Sequence, residues 1–241
     1  MIAYIALEVR RTLRDTGFVV FGIGLPVVMY LLFSNIGLGG DERRETALSL
    51  MVGMAAYGAL GAALSVGTQL AEDRSLGWLR QLRLTPLPPT HVVAGRALTG
   101  SVIVLPAIVA VLLAGRFVNH VALSGGQWAA LVGLLWLGTT PFTLLGLGTG
   151  YWLNAQTTSV VNMVSSMGLA IVGGLWVPTD SFPDWLRALS TWTPTHRFAQ
   201  LGWSVTEGHA PGLVTVLVLL GWLVLFGGYA LRSYRVCGRT A

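Results

Sequence analysis

The hydrophobic pattern of the chain alternates long apolar runs with short polar segments. An α-helix needs about 20 apolar residues to cross the roughly 30 Å hydrocarbon core of a bilayer. Six runs come close to or exceed that length, and we predict a membrane-spanning helix in each: 18–36, 47–70, 97–115, 128–153, 160–177 and 213–231. The pattern therefore predicts an all-α integral membrane protein with six transmembrane helices.

Three segments outside these spans also carry a helical pattern. Residues 1–16 have one apolar and one charged face, which is typical of a helix lying in the membrane interface, although a charged flank of the first span is the alternative. Residues 71–95 contain a short amphipathic helix whose Leu76 and Leu79 share one side. Residues 178–211 are rich in aromatic residues and prolines, and they predict short interfacial or re-entrant helices.

The arginines orient these spans. All 15 basic residues are arginine, and with a cytoplasmic N-terminus ten of them fall in cytoplasmic segments and five outside. The positive-inside rule therefore predicts a multi-pass protein of the cell membrane with both termini in the cytoplasm, residues 71–95 cytoplasmic and residues 178–211 extracellular. The first apolar run is too long for a signal peptide, and no small-residue cleavage site follows it.

Composition narrows the class of function. Hydrophobic residues make up 54% of the chain and charged residues 10%, whereas a soluble domain carries about 25% charged residues, so we interpret 1–241 as one membrane domain. A Walker A motif requires a lysine, and the chain has none. Histidines are absent from the predicted spans and acids lie only in loops or interfacial segments, which argues against hydrolytic catalysis, a metal site and a proton relay. We expect no enzyme activity and no cofactor on this chain.

One short motif matches a known ATPase signature. Residues 123–127 read LSGGQ, which matches the signature motif of ATP-binding-cassette ATPases. Here it lies in a predicted extracellular loop of a chain without a Walker A motif. We interpret it as a coincidental Gly-Gly turn that leads into a helix at Trp128.

Polar side chains and a methionine within the fourth and fifth spans are candidates for a substrate pathway. They are Thr139, Thr140, Thr143, Asn162, Met163 and Ser166. Flexible methionines suit an amphiphilic substrate, but interhelical packing is the alternative, since Ser, Thr and Gly commonly pack helices in membranes. Gly146 and Gly150 form a G-x-x-x-G pattern that indicates a close helix contact.

The charged loop after the second span resembles the cytoplasmic loop of ABC-2 type permeases. In both, an acidic residue precedes a patterned stretch that ends in Thr-Pro, here Glu72 followed by Gly77-x-Leu79-x-Gln81-Leu82-x-x-Thr85-Pro86-Leu87. Trp78 and Arg80 stand where that family usually has Thr and Glu. A second stretch, 178–195, resembles the segment before the last span of the same family, and the resemblance covers nearly the whole chain.

The resemblance implies the transmembrane subunit of an ABC exporter. In that family the loop forms a coupling helix that inserts into a cleft of a separate ATPase subunit, and the N-terminal interfacial helix contacts the same subunit. The implied coupling residues are Glu72, Asp73, Arg74, Gly77, Trp78, Leu79, Arg80, Gln81, Leu82, Thr85 and Pro86. Two ATPase subunits, which would hold the ATP and Mg²⁺, and a second copy of this permease or a similar chain would complete the transporter.

We therefore expect outward transport of a hydrophobic or amphipathic compound, such as a drug, an antibiotic or a lipid-like molecule. Three alternatives stay open: export of polysaccharide or lipid-linked glycan, a membrane-embedded enzyme, and a non-transporting membrane anchor for an ATPase. The aromatic residues cluster at the predicted outer interface rather than along a channel, which favours drug or lipid efflux. The arginines follow the ends of the spans, so nucleic acid is not an expected partner.

Overall fold

The computed structural model describes residues 10, 14–35, 41–75, 89–177 and 179–237. All regular secondary structure in these ranges is helical, which confirms the all-α prediction for them. Two predicted helices fall largely or wholly outside the described residues. They are most of the interfacial helix at 1–16 and the coupling helix from residue 76 to residue 88.

The described helices follow one another in this order. A π-helical segment, Phe18–Gly24, leads into α1 (Leu25–Asn35), and the chain continues through α2 (Asp41–Ser75), α3 (Pro89–Phe117), α4 (Gly125–Gly138), α5 (Thr140–Trp152), α6 (Ala155–Val172), a 3₁₀ turn at Thr179–Ser181, α7 (Asp184–Ser190), α8 (Pro194–Thr206) and α9 (Leu213–Cys237).

Five helical stretches of the described residues are long and apolar enough to cross a membrane. They are Phe18–Asn35, Thr46–Ser75, Gly100–Phe117, Gly125–Trp152 and Leu213–Cys237. These correspond to five of the six predicted spans. The remaining predicted span, 160–177, lies largely in α6, whose first turns carry polar side chains such as Gln156 and Ser159, which lower the mean hydropathy of this 18-residue helix.

The end of α6 also differs from the prediction. The helix stops at Val172, five residues before the predicted end of the span. Gly174 has a φ of 74°, the Gly174 amide donates to Ile171 and the Leu175 amide donates to Ala170. This pattern is a glycine-terminated helix cap, in which the left-handed glycine turns the chain away from the helix axis. The following segment is therefore free to form the outer helices α7 and α8.

Helix α2 is the centre of the bundle. It packs against α1, α3, α5, α6 and α8. Small residues dominate its buried surface, including Ala55, Ala59 and Ala63, together with larger ones such as Met51 and Leu60. Small side chains let neighbouring helix backbones come close, which is how helices gain van der Waals contact inside a membrane.

The closest approach is between α2 and α5. A Cβ atom at Gly146 would lie 2.8 Å from the carbonyl oxygen of Leu64, and one at Gly67 or Gly150 would overlap the backbone of the facing glycine. The structure therefore confirms the close helix contact indicated by the G-x-x-x-G pattern. Helix α5 presses its opposite side against α9, where Gly148 leaves room for the ring of Tyr229.

The predicted fourth span is interrupted near its middle. Helix α4 ends at Gly138, α5 begins at Thr140, and Pro141 lies in the first turn of α5. Proline lacks the amide hydrogen that would continue the helical ladder, so it favours a new helix start at this point. The two helices together still cover the length of one span, Gly125–Trp152.

The segment between α6 and α9 contains the short helices that the sequence predicts. Helix α8 is held to the rest of the bundle by side-chain bonds. The Thr195 hydroxyl donates to the carbonyl of Leu169 at 2.7 Å, and the Trp203 indole donates to the carbonyl of Ser49 at 3.1 Å. These bonds connect the end of α6 and the beginning of α2 through α8.

Candidate coupling and transport site

The coupling segment begins in the last turn of α2. Glu72 is exposed there, whereas Asp73 and Arg74 are half-buried. The other implied coupling residues lie outside the described residues: Gly77, Trp78, Leu79, Arg80, Gln81, Leu82, Thr85 and Pro86. Helix α2 is continuous from Asp41 to Ser75, so the start of the predicted coupling segment and the buried centre of the bundle belong to one helix.

Arg74 points into the permease rather than away from it. Its Nη1 atom donates to the carbonyl oxygens of Gly150 at 2.7 Å and Leu153 at 3.2 Å. Both carbonyls belong to the end of α5, where the last carbonyls of a helix lack intrahelical partners and carry partial negative charge. The guanidinium therefore satisfies these acceptors and connects α2 to the turn between α5 and α6.

A second polar connection lies deeper in the bundle, around Asn162 of α6. Its Nδ2 atom donates to the carbonyl of Leu64 on α2 at 2.8 Å, and its Oδ1 atom accepts from the Thr149 hydroxyl of α5 at 3.0 Å. Thr149 and Asn162 are both buried. A buried amide needs partners for both its donor and its acceptor, and here two other helices, α2 and α5, supply them.

The other candidate pathway residues make local bonds. Thr139, Thr140, Thr143 and Ser166 donate their hydroxyl hydrogens to carbonyls of the preceding turn, at Trp136, Leu137, Thr139 and Met163 respectively. The side chain of Met163 is 65% exposed. Of the six candidates, Asn162 is the one whose side chain bonds to other helices. For the buried hydroxyls, these positions agree with the packing alternative.

Two features of this site lie beyond sequence reasoning. Thr149 is not among the candidate residues, and nothing in its local sequence separates it from other threonines. The inward direction of Arg74 is not predicted either, because the charged run 72–74 is typical of a solvent-facing surface. Both roles depend on partners that are 13 or more residues distant in the chain.

The LSGGQ motif serves as a helix cap in this structure. Ser124 is the N-cap of α4, its hydroxyl accepts from the Gln127 amide at 3.2 Å, and the Gln127 side chain accepts from the Ser124 amide at 2.9 Å. This reciprocal pair is a capping box. The Gln127 amide group also donates to the carbonyl of Val205 in α8. The helix begins at Gly125, three residues earlier than predicted.

Helix α8 carries a partly buried histidine near its start. His196 Nδ1 lies 3.3 Å from the carbonyl oxygen of Gly173, and its ring packs edge-on against Trp203. Burial lowers the pKa of His196 below its usual 6.5, the bond to Gly173 opposes this effect, and the charge of Arg197 adds to the lowering. The neutral ring is therefore the favoured form at neutral pH.

Metal chemistry has no support within the described part of the chain. No group of three or more His, Cys, Asp or Glu side chains there could hold a metal ion. The single cysteine of the sequence, Cys237, is half-buried at the end of α9.

Comparison with known proteins identifies the family to which this helical bundle belongs. Residues 1–202 match the family described as ABC-2 type transporter. The chain belongs to that family. It is also 29% identical over 223 residues to the protein named "Putative transport permease YvfS" of Bacillus subtilis (strain 168), a match that covers 91% of this chain and 90% of that protein.

Membership of the ABC-2 family has direct consequences. The chain is a membrane permease component that corresponds to the membrane domain of the transporter and lacks an ATPase domain. ABC-2 permeases pair with ABC ATPase subunits. The central helix α2 and its charged last turn therefore belong to a membrane permease component.

Proposed function

We propose that this permease forms half of an ATP-driven exporter and moves a hydrophobic or amphipathic compound outward. The observation that supports it most strongly is the continuity of α2. This helix extends from the buried centre of the bundle to Glu72, at the start of the coupling segment. An ATPase that moves residues 72–88 would move the central helix with them.

The nature of the transported compound is supported by α6. Its exposed surface is largely apolar and includes Val160, Met163, Val164, Met167 and Ile171. The helix carries no charged residue, and its buried stripe of Thr158, Asn162 and Ser166 faces the bundle. In the proposed exporter α6 is the fifth of six spans in chain order, and its adaptable methionines suit a flexible apolar substrate rather than a sugar polymer.

The assembly follows from the size of the subunit. Two permease chains, either identical or similar, and two ATPase subunits form the complete transporter, with both permease termini in the cytoplasm. In this arrangement the interfacial helix at 1–16 contacts the ATPase. The coupling residues 72–88 contact it too, except Arg74, whose side chain bonds to the end of α5. Trp78 and Arg80 are the positions at which partner choice is decided, since an arginine at the contact calls for acidic residues on the ATPase.

Copurification with ABC ATPase subunits of the same organism tests the proposal. We expect the wild-type pair to copurify from lipid nanodiscs, and we expect Glu72→Ala or Leu79→Ala to weaken the complex or lower its ATP hydrolysis at least several-fold. Glu207→Ala is the matched control, because Glu207 is an exposed acid at the far end of α8. Failure of the wild-type chain to bind any ATPase would refute the proposal.

Transport itself needs a second measurement. Inside-out vesicles that contain the complex should take up amphipathic fluorescent dyes when ATP is added, and they should not do so with an ATPase that lacks its catalytic glutamate. Stable ATPase binding without any ATP-dependent movement of amphiphiles or glycolipids would indicate the membrane-anchor alternative instead.

A further inference from the structure

Arg74 occupies an unusual position for a residue of a coupling segment. It is in the last turn of α2, yet its Nη1 atom bonds to the carbonyl oxygens of Gly150 and Leu153 on a different helix. Leu153 is the C-cap of α5, and the next residue, Asn154, caps the start of α6 by accepting from the Thr157 amide at 2.8 Å. Arg74 thus lies at the turn where α5 becomes α6.

The physical chemistry favours a firm contact at this point. Carbonyls at a helix C-terminus attract cations because the helix macrodipole places partial negative charge there. A hydrogen bond with a charged donor is stronger than one between neutral groups. Arg74 is half-buried, so solvent screens the contact less than it would screen a surface pair.

Two further contacts hold the same helices together. Gly67 of α2 meets Gly150 of α5 backbone to backbone, and Asn162 of α6 donates to the carbonyl of Leu64 on α2. Leu64 and Arg74 are ten residues apart, which is about 15 Å along the helix. Contacts at both ends of this close-packed stretch oppose sliding and tilting of α2 relative to α5 and α6.

We infer that Arg74 is a positioning residue that transfers movement of the coupling segment to the turn between α5 and α6. This role differs from a direct contact with the ATPase. The inference rests on the proposed function, since it requires an ATPase that moves residues 72–88. It assigns α2, α5 and the start of α6 to one unit that moves together, with Arg74 at its cytoplasmic end.

The contact can be tested on the permease alone by hydrogen–deuterium exchange in nanodiscs. We expect Arg74→Gln to raise the exchange of amides 153–158 about tenfold, because the bonds that anchor this turn to α2 are lost. Arg74→Lys keeps the charge and should restore part of the protection. The control is Arg235→Gln, an exposed arginine in the last turn of α9, and it should leave the turn unchanged.

The transfer of movement is tested on the complex with the ABC ATPase that copurifies with the wild-type chain. In the wild type, trapping with ATP and vanadate should change the exchange of amides 153–165. With Arg74→Gln, the ATPase should still copurify and hydrolyse ATP, but the change in exchange at 153–165 should fall at least about fivefold, with partial recovery in Arg74→Lys.

The outcomes of these experiments distinguish the inference about Arg74 from the proposed function. Unchanged exchange at 153–158 in Arg74→Gln would overturn the inference even if the ATPase binds normally. Loss of ATPase binding in Arg74→Gln, with intact exchange at the turn, would also overturn it and would assign Arg74 to the ATPase contact. Absence of ATPase binding in the wild type would instead refute the proposed function, and the exchange of the permease alone would still report on the contact.

Discussion

Single side chains act in this protein mainly by connecting helices that are distant in sequence. Asn162 joins three helices through two hydrogen bonds, and Arg74 joins α2 to the end of α5. Inside a membrane, helices gain little from the hydrophobic effect on association, because lipid is as apolar as a leucine side chain. A few directional bonds therefore have a large influence on which helices stay together.

Replacement of Asn162 tests the inner connection. We expect Asn162→Ala to lower the free energy of unfolding by about 1–2 kcal/mol, since interhelical hydrogen bonds in membranes contribute roughly 0.6 kcal/mol each and a small cavity adds to the loss. The matched control is Ser166→Ala on the same buried stripe, whose hydroxyl bonds within its own helix to Met163. Unfolding in mixed micelles would measure both, and equal effects would contradict the prediction.

His196 makes the attachment of α8 sensitive to acid. Because burial lowers its pKa in the folded state, the unfolded chain takes up a proton first as the pH falls below about 6.5. The stability that the neutral ring contributes is therefore present above about pH 6.5 and decreases as the pH falls towards the lowered folded-state pKa. Thermal unfolding in detergent at about pH 7.5 and about pH 5.5 should show this loss, and His196→Gln should reduce it.

At the scale of whole helices, the smallest residues determine how closely neighbouring helices pack. Gly67, Gly146 and Gly150 allow α2 and α5 to touch through their backbones, while Gly148 receives the ring of Tyr229 from α9. Helix α5 is therefore clamped between the central helix and the last span. The backbone contacts between α2 and α5 have no flexible side chain that could move aside.

Alanine substitutions along α2 separate packing from helix propensity. We expect Gly67→Ala to destabilise the bundle by about 1–3 kcal/mol or more, because its Cβ atom would overlap the backbone of Gly146. Gly61→Ala is the control, since no atom lies within 4 Å of the position that its new methyl group would take, and it should be neutral or slightly stabilising. Thermal unfolding of the two variants would decide, and similar melting temperatures would contradict the proposed contact.

The whole molecule is a bundle around α2, and α2 itself ends in the charged residues 72–74. The same helix is the most buried of the five candidate spans, with 72% of its apolar window inside the protein. In the proposed exporter, a central helix that also begins the coupling segment gives the ATPase one element through which it acts on the helices that α2 contacts.

The orientation of the bundle is tested by cysteine labelling in a Cys237→Ser background. Ser124→Cys should react with a membrane-impermeant thiol reagent from outside the cell, because Ser124 is exposed before α4 in the predicted extracellular loop. Gln156→Cys is the counterpart at the exposed start of α6, in the predicted cytoplasmic turn, and it should react only in inside-out vesicles. The reverse result would invert the topology.

The approximate limits of five of the six predicted spans, the missing Walker A motif and the family resemblance followed from the sequence by itself. Hydropathy depends on composition over about 20 residues, and a motif depends on local spacing. Both can therefore be recognised from the sequence without a three-dimensional structure. Tertiary structure alone decided that Arg74 turns inward to Gly150, that Thr149 completes the bonding of Asn162, and that Gln127 of the α4 cap bonds to Val205 of α8. Each of these depends on atoms brought together from distant parts of the chain, and such proximity is a property of packing rather than of local sequence.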